Sequence, residues 1–517
     1  MIKRVCTLFT IAIVAACTKA QQDSSMPIGI ASNITANPIL SGLPVNPLLH
    51  ITIFIPDGHA PVKYNSILCT LNSSAVADLQ NLQVYSTGVT PAFGTGNMVT
   101  TVAPSDSSFA IPVNLSLTGG INHFWIAGEL KPTASLAHQV VLHATQFVTS
   151  TNSTEAVHEY GNFGTRIGMA LRKSGDNGVD TYRIPGLTTT DKGTLIAVYD
   201  IRYNSNADLP ANINVGLSRS FDGGQTWEPM RVIMNMGQTS QNGIGDPSVL
   251  FDPSTKTIWV AALWAANGHS IAQSAPGLST NVSGQYVLVN STDDGLTWSA
   301  PINITPQVKD PATKILFQGP GRGIAMSDGK LVFPSQYWDA SNVPYSTLIY
   351  STDHGASWVR GSTGAKPNTT ECQVVETAPG TLMLNMRDQS GNGYRSVATT
   401  ANLGTNWTAD ATSGNTLPDP VCMASLIKAN VNIKGVMTDV LFFCNPNVSA
   451  APRAQITVKA SLDLGATWLP ANQLLIDERP CYGYSCLTKI DNNTLGLLYE
   501  GTKELYFVHV PVSQIIK

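Results

Sequence analysis

The chain has 517 residues, a net charge of −4 and 43% apolar residues, but only 12% charged residues, against roughly 25% in a typical soluble domain. That balance excludes a general nucleic-acid or anionic-membrane binder, which needs a basic face; any anionic ligand must be held by a local arginine cluster. The length exceeds one ordinary domain, and 43 glycines and 31 prolines point to short strands joined by turns.

Residues 1–17 read as an export signal. Lys3 and Arg4 precede an apolar stretch from Val5 to Ala16, too short for a membrane helix of about 20 residues. Val14-Ala15-Ala16-Cys17 has the form of a bacterial lipobox. It predicts cleavage before Cys17, a lipid anchor on its thiol and residence in the periplasm or at the cell surface. Ordinary signal cleavage, for example after Ala20, is the alternative. No later segment reads as a membrane span. Six cysteines follow the leader: Cys69, Cys372, Cys422, Cys444, Cys481 and Cys486. Cys481 with Cys486 and Cys422 with Cys444 can be drawn as pairs in an exported chain, with buried free thiols as the alternative.

Residues 23–152 carry no helical periodicity. Short β-rich runs such as Leu49 to Ile55, Phe109 to Val113 and His123 to Ala127 alternate with turn residues, which predicts an antiparallel β-sandwich. Carbohydrate binding and a purely structural role are equally open for it. The polar run Thr149 to Thr154 marks a boundary.

From residue 158 to 517 an internal repeat takes over. Four octets are clear: Ser220 to Trp227, Ser291 to Trp298, Ser351 to Trp358 and Ser461 to Trp468; Thr400 to Trp407 is a degenerate fifth. In each, Asp can accept backbone N–H groups across its own turn, Gly supplies positive φ and Trp pins the turn against the sheet. The acidic residues are therefore structural, since catalysis does not need one acid per blade. Spacings of 49 to 71 residues between octet centres fit four-stranded propeller blades. The prediction is an all-β chain with a six-bladed propeller after the sandwich, the unmarked blade lying where the ring closes.

Function is sought between the octets. Tyr182-Arg183-Ile184-Pro185-Gly186 precedes the first. Thr370 to Glu376 and Leu384-Asn385-Met386-Arg387 lie in the middle, and Arg453 and Gly483-Tyr484-Ser485-Cys486-Leu487 near the end. Together with the octets, which resemble Asp boxes (BNR repeats), this ordered set is similar to the bacterial exo-sialidases, or neuraminidases, of glycoside hydrolase family 33. The resemblance covers roughly residues 158–517. Tyr182 stands where the family motif has Phe, a conservative change.

The resemblance implies a retaining exo-α-sialidase acting on sialylated glycans, glycoproteins or glycolipids, with no cofactor. Sialic acid carries a carboxylate on its anomeric carbon, and Arg presents a planar, permanently charged fork to such a group. Arg183, Arg387 and Arg453 are the implied substrate ligands. An anionic nucleophile would be repelled by that carboxylate, and sialidases with a tyrosine nucleophile are known exceptions to the two-carboxylate scheme. The resemblance implies Tyr484 as nucleophile with Glu371 as its base, and Asp208 as acid/base on a loop. Asp200, at the end of the apolar strand Thr194 to Tyr199, is the rival for that role. Arg202 matches an arginine near the sugar's C4 side, and Asp246 another substrate-contacting aspartate. An apolar N-acyl pocket is expected, with Trp259, Trp264, Ile244 and Met236 as candidates that equally fit a core. No metal-ligand spacing appears. Alternatives are trans-sialylation within or between molecules, a non-catalytic sialoglycan-binding propeller, and a structural propeller without a sugar site.

Overall fold

The computed structural model describes residues 28–161, 164–237 and 239–517; the leader and lipobox expected within residues 1–17 lie outside these. The chain divides into two compact units, Met1–Ile167 and Gly168–Lys517. Both are β: strands of the first such as Val62–Leu71 alternate between buried and more exposed positions, whereas second and third blade strands such as Leu195–Arg202 and Ile213–Ser220 are buried on both faces. Among the described residues no helix is long and apolar enough to cross a membrane.

The first unit is a sandwich of two sheets. One sheet carries Asn46–Ile55 between Gly29–Ile34 and Gly120–Leu130, followed by Leu79–Gly88 and Met98–Val102. The other sets Val62–Leu71 between Leu142–Thr149 and Ser108–Leu117. The run read as Leu49 to Ile55 alternates: Ile51, Ile53 and Ile55 are fully buried, as are Ile67 and Phe147 of the other sheet.

The second unit is a ring of six sheets, blades I to VI, each built on four antiparallel strands, with short extra strands added in blades II and III. Their inner strands are Thr181–Thr189, Ile244–Asp252, Ile315–Gln318, Thr369–Ala378, Ser425–Ile433 and Ser485–Lys489. Adjacent blades share apolar interfaces; Val198 and Leu217 of blade I pack with Val249, Val260 and Val287 of blade II. Every octet joins the third to the fourth strand of its blade, as between Gln285–Ser291 and Ile302–Asn303 in blade II. Blade VI has none for a topological reason. Its third strand, Leu505–Pro511, pairs with Thr165–Arg172 from the start of the ring, so no hairpin connects them.

The box geometry follows from its residues. In the first, the Thr226 N–H and hydroxyl donate to the two oxygens of Asp222 at 2.9 and 2.6 Å, and the Gly224 N–H donates to Ser220 Oγ at 2.8 Å. Gly224 has φ +96°, and a Cβ there would lie 2.1 Å from the Phe507 ring of blade VI, so glycine is required twice over. The degenerate box keeps Asn406 N–H to Asn402 Oδ1 at 2.9 Å; the amide at 402 leaves no second carboxylate oxygen for residue 406. All six cysteines beyond the leader are free thiols, five of them buried, so neither drawn pair exists.

Candidate active site

The N-terminal ends of four inner strands converge on one mouth of the ring. Arg183, Asp246 and Glu371 are each third in their strands, and Tyr484 directly precedes its own. In blades I, II and IV the pairing of inner with second strand slips at this end: between Arg183 and Gly186, Gly245 and Ser248, and Thr369 and Cys372. Such bulges re-aim side chains beside functional sites. Ile184 and Asp246 take φ +56° and +59°, each followed by a proline, which needs no ladder partner at a bulge. The cavity they enclose is about 290 Å³, lined by Arg183, Asp208, Asp246, Glu371, Arg387, Arg453 and Tyr484, with Leu209, Leu263, Ile271, Phe317 and Trp338 on its apolar wall.

At its floor the Tyr484 hydroxyl donates to Glu371. Arg387 Nη1 bridges the pair, donating to Glu371 Oε2 at 2.7 Å and to Tyr484 Oη at 3.1 Å. The phenol packs on Ile184, Cys422 and Met423. Burial, reinforced by the Glu371 charge, pushes its pKa well above the ordinary value. The phenol is therefore neutral, and its proton must pass to Glu371 as any bond forms. The Arg183 and Arg453 guanidinium carbons stand 5.1 and 5.8 Å from the centre of this ring.

Arg183 is held from behind. Its Nε donates to Glu500 Oε1 at 3.0 Å, and the same carboxylate accepts the Ile184 and Tyr484 N–H groups at 2.9 and 3.0 Å. Glu500 is fully buried, and one carboxylate thus ties the first arginine to the tyrosine. It was missed in the sequence, although an acid ending the apolar strand Thr494–Glu500 is the visible signal. Arg453 donates to the Tyr482 and Val421 carbonyls, both at 2.8 Å.

Asp208 stands on the rim with its side chain 79% exposed. Arg202 Nη1 holds it at 2.7 Å and Arg183 Nη1 at 3.4 Å. Partial desolvation opposes these cations, but they prevail and keep the carboxyl below its usual range. Arg202 departs from the expected sugar contact. Its side chain is 1% exposed and lies behind the cavity wall. Its Nη1 also donates to the Asn206 and Ala207 carbonyls at 2.9 and 3.1 Å, while Nε and Nη2 donate to Asp200 Oδ2 at 3.1 and 2.9 Å. The physical reason is prior engagement: Nη1 holds the loop that carries Asp208, and Nε and Nη2 hold Asp200. Asp200, the rejected rival, is wholly buried; its other oxygen accepts the Asp246 N–H at 2.8 Å.

Asp246 faces the cavity, its carbonyl fixed by Gln318 Nε2 at 2.6 Å. Burial, then the neighbouring Asp200 charge, raises its carboxyl well above the usual range, which favours the protonated, O–H-donating form. None of the four residues considered for the acyl pocket lines this cavity. Ile244 and Trp259 are buried, and Trp264 and Met236 pack on the interface of blades I and II. Trp259 sits beneath Gly355 of the third box, where a Cβ would lie 2.3 Å from its ring.

Residues 188–498 match the BNR repeat-like domain, and residues 28–153 match the N-terminal domain of BNR-repeat neuraminidase. A sialidase of Bacteroides fragilis is 48% identical over 411 residues, covering 77% of this chain and 74% of that one. The chain belongs to the BNR-repeat sialidase family. A second sialidase, from Micromonospora viridifaciens, is 34% identical over 64% of this chain and 51% of its own length. Among solved structures, this sialidase resembles the Hadza microbial sialidase Hz136 with a TM-score of 0.86 and 38% identity over 94% of this chain and all of that one. An intramolecular trans-sialidase from Ruminococcus gnavus shares the fold at 17% identity and a TM-score of 0.58.

Proposed function

We propose that this sialidase is a retaining exo-α-sialidase that releases terminal sialic acid from glycoconjugates through a covalent bond to Tyr484. The observation that carries the reading is the Tyr484 hydroxyl donated to Glu371, with Arg387 on both, at the floor of a cavity that also holds Arg183 and Arg453. The substrate carboxylate lies against the three arginines, which aims the anomeric carbon at the phenol. Tyr484 attacks as its proton moves to Glu371, and Asp208 protonates the leaving oxygen. Water then enters with Asp208 as base, and the tyrosine leaves with its proton returned.

The free site keeps Asp208 ionised through Arg202 and Arg183, which is the wrong state for an acid. A bound sialate carboxylate compensates Arg183 and Arg387, relaxes that pull and favours proton uptake by Asp208. The apolar wall of Leu209, Leu263, Ile271, Phe317 and Trp338 accommodates the N-acyl group or the first aglycone sugar.

The test is hydrolysis of a fluorogenic α-sialoside, with the product anomer followed by NMR. Tyr484→Phe is expected to lose at least about 10³-fold in kcat. Asp208→Ala is expected to lose more on sialyl-lactose than on the activated aryl sialoside, whose leaving group needs less protonation. Full activity in Tyr484→Phe, or a first-formed β-anomer of free sialic acid from an α-sialoside, would overturn the nucleophile.

A further inference from the structure

The opposite mouth of the propeller axis carries a cation that this chemistry does not use. At the C-terminal ends of the inner strands, a second cavity of about 270 Å³ is lined by Thr188 and Thr189 of blade I, Phe251 of blade II, Lys428 of blade V and Arg322. An adjoining depression shares Arg322 and Lys428 and adds Lys489 of blade VI. Arg183 to Thr189 is six residues of one strand, so the two mouths lie about 20 Å apart.

Arg322 belongs to the two-residue strand Gly321–Arg322, which pairs parallel with the inner strand of blade II, Arg322 opposite Val249. Its guanidinium reaches blade VI, where Nη1 donates to the Leu487 carbonyl at 3.3 Å. Its Nε is buried without a hydrogen-bond partner. Desolvation lowers the guanidinium from its ordinary value, and among the described residues the opposing neighbour is the Cys486 thiol, with no carboxylate. Glu376 lines the same cavity, but its carboxylate is turned to Ser327 and Gly380, accepting the Ser327 N–H at 2.7 Å, its hydroxyl at 2.9 Å and the Gly380 N–H at 2.8 Å. Lys428 lies 3.7 Å from Asp439, and Lys489 donates to the Asn430 carbonyl at 2.7 Å, so both stay at the rim.

A desolvated guanidinium beside an accessible cavity is costly unless an anion completes it. Its planar fork matches an oxyanion, and the flanking lysines add attraction without blocking entry. The geometry points to an oxyanion site at this distal mouth, taking a carboxylate, phosphate or sulfate group on Arg322.

The test compares the full chain with its Arg322→Met variant. Crystals are soaked in selenate and anomalous data collected; separately, phosphate, sulfate and acetate are titrated calorimetrically against a chloride background of fixed ionic strength. Both chains keep Arg183, Arg387 and Arg453, so anion binding common to the two is assigned to the catalytic cavity and only the difference counts. The expected result is an anomalous peak within hydrogen-bond distance of the Arg322 guanidinium, and a binding event at least about tenfold weaker in Arg322→Met. Sialoside hydrolysis is expected to be equal in the two. A preference for acetate assigns a carboxylate ligand and a preference for phosphate or sulfate a tetrahedral one; either supports the site. No peak at Arg322, or identical titrations, overturns it. If Arg322→Met does not fold, Arg322→Lys keeps the charge and loses the fork, and the anomalous map of the unaltered chain decides alone.

Discussion

Asp293 and Asp246 are carboxyl groups of the same blade, and the protein drives them in opposite directions. Asp293, in the second box, accepts the Thr297 hydroxyl and N–H at 2.6 and 2.8 Å, and these bonds, hydroxyl first, hold it down at about 2. Asp246, at the cavity, is raised by burial and by the charge of Asp200. Where donors come from the same turn, a carboxylate is stabilised locally and serves the scaffold. Where the surroundings come from several blades, desolvation dominates and the group becomes chemically useful.

The largest effect that could break this contrast concerns Asp200, which carries no chemistry in the proposed mechanism. Asp200→Asn leaves the Arg202 charge without its buried partner, at a cost of about 3–5 kcal/mol in stability. It also loosens the Arg202 side chain that holds the loop carbonyls and Asp208. The expected outcome is a fall in kcat/KM of about 10²-fold, with the acidic limb of the pH–rate profile displaced because Arg202 no longer fixes Asp208. An unchanged pH profile in a folded variant would make Asp200 merely structural.

Asp246 comes next. Its native carboxyl keeps a proton that the unfolded chain releases at the ordinary carboxylate value. Native stability therefore falls as pH rises through the interval between the ordinary and the raised pKa. Asp246→Asn cannot release that proton, so denaturant titrations between pH 4 and 8 (about the span from the reference carboxylate to neutrality) are expected to show a flatter stability curve.

A smaller effect is expected in the box. Asp293→Asn should cost about 1 kcal/mol or less, as an exposed turn losing charge-assisted bonds, and leave kcat/KM unchanged. Its sign is the reverse of Asp246. The depressed carboxylate stabilises the fold above the ordinary value, and that contribution disappears as pH falls toward about 2. Loss of sialidase activity in Asp293→Asn would merge the two classes of carboxylate. The smallest change sharpens the contrast: Asn402→Asp with Asn406→Thr restores the carboxylate and the hydroxyl that bonds it in the box of blade IV. It should raise thermal stability by a few tenths of a kcal/mol without altering catalysis.

Much of the fold was readable because its signals are local. The octets follow the third strands of five blades, and the missing sixth marks the ring closure. The cavity residues Arg183, Asp208, Asp246, Glu371, Arg387, Arg453 and Tyr484 were legible through motifs, and all seven line one cavity. Arg202, Glu500 and the apolar wall were less legible. A buried arginine and a surface one have the same letter, and only the approach of the Asn206 and Ala207 carbonyls makes Arg202 a loop brace. Trp259 and Trp264 offered aromatic bulk, but the sheet register turned that bulk toward neighbouring blades while Phe317 and Trp338 of blade III faced the cavity.

What the sequence determined by itself was whatever repeats or closes within a few residues: the turns, the blade count and the identity of the groups available for chemistry. Local hydrogen bonds and glycine angles need no distant partner. The tertiary structure alone decided in which direction each carboxyl is shifted, which arginine faces the cavity, and that Arg322 Nε lies buried without a hydrogen-bond partner among the described residues at the far mouth. These depend on desolvation and on groups from different strands brought together by the fold, as Arg183 and Glu500 are across 317 residues of chain.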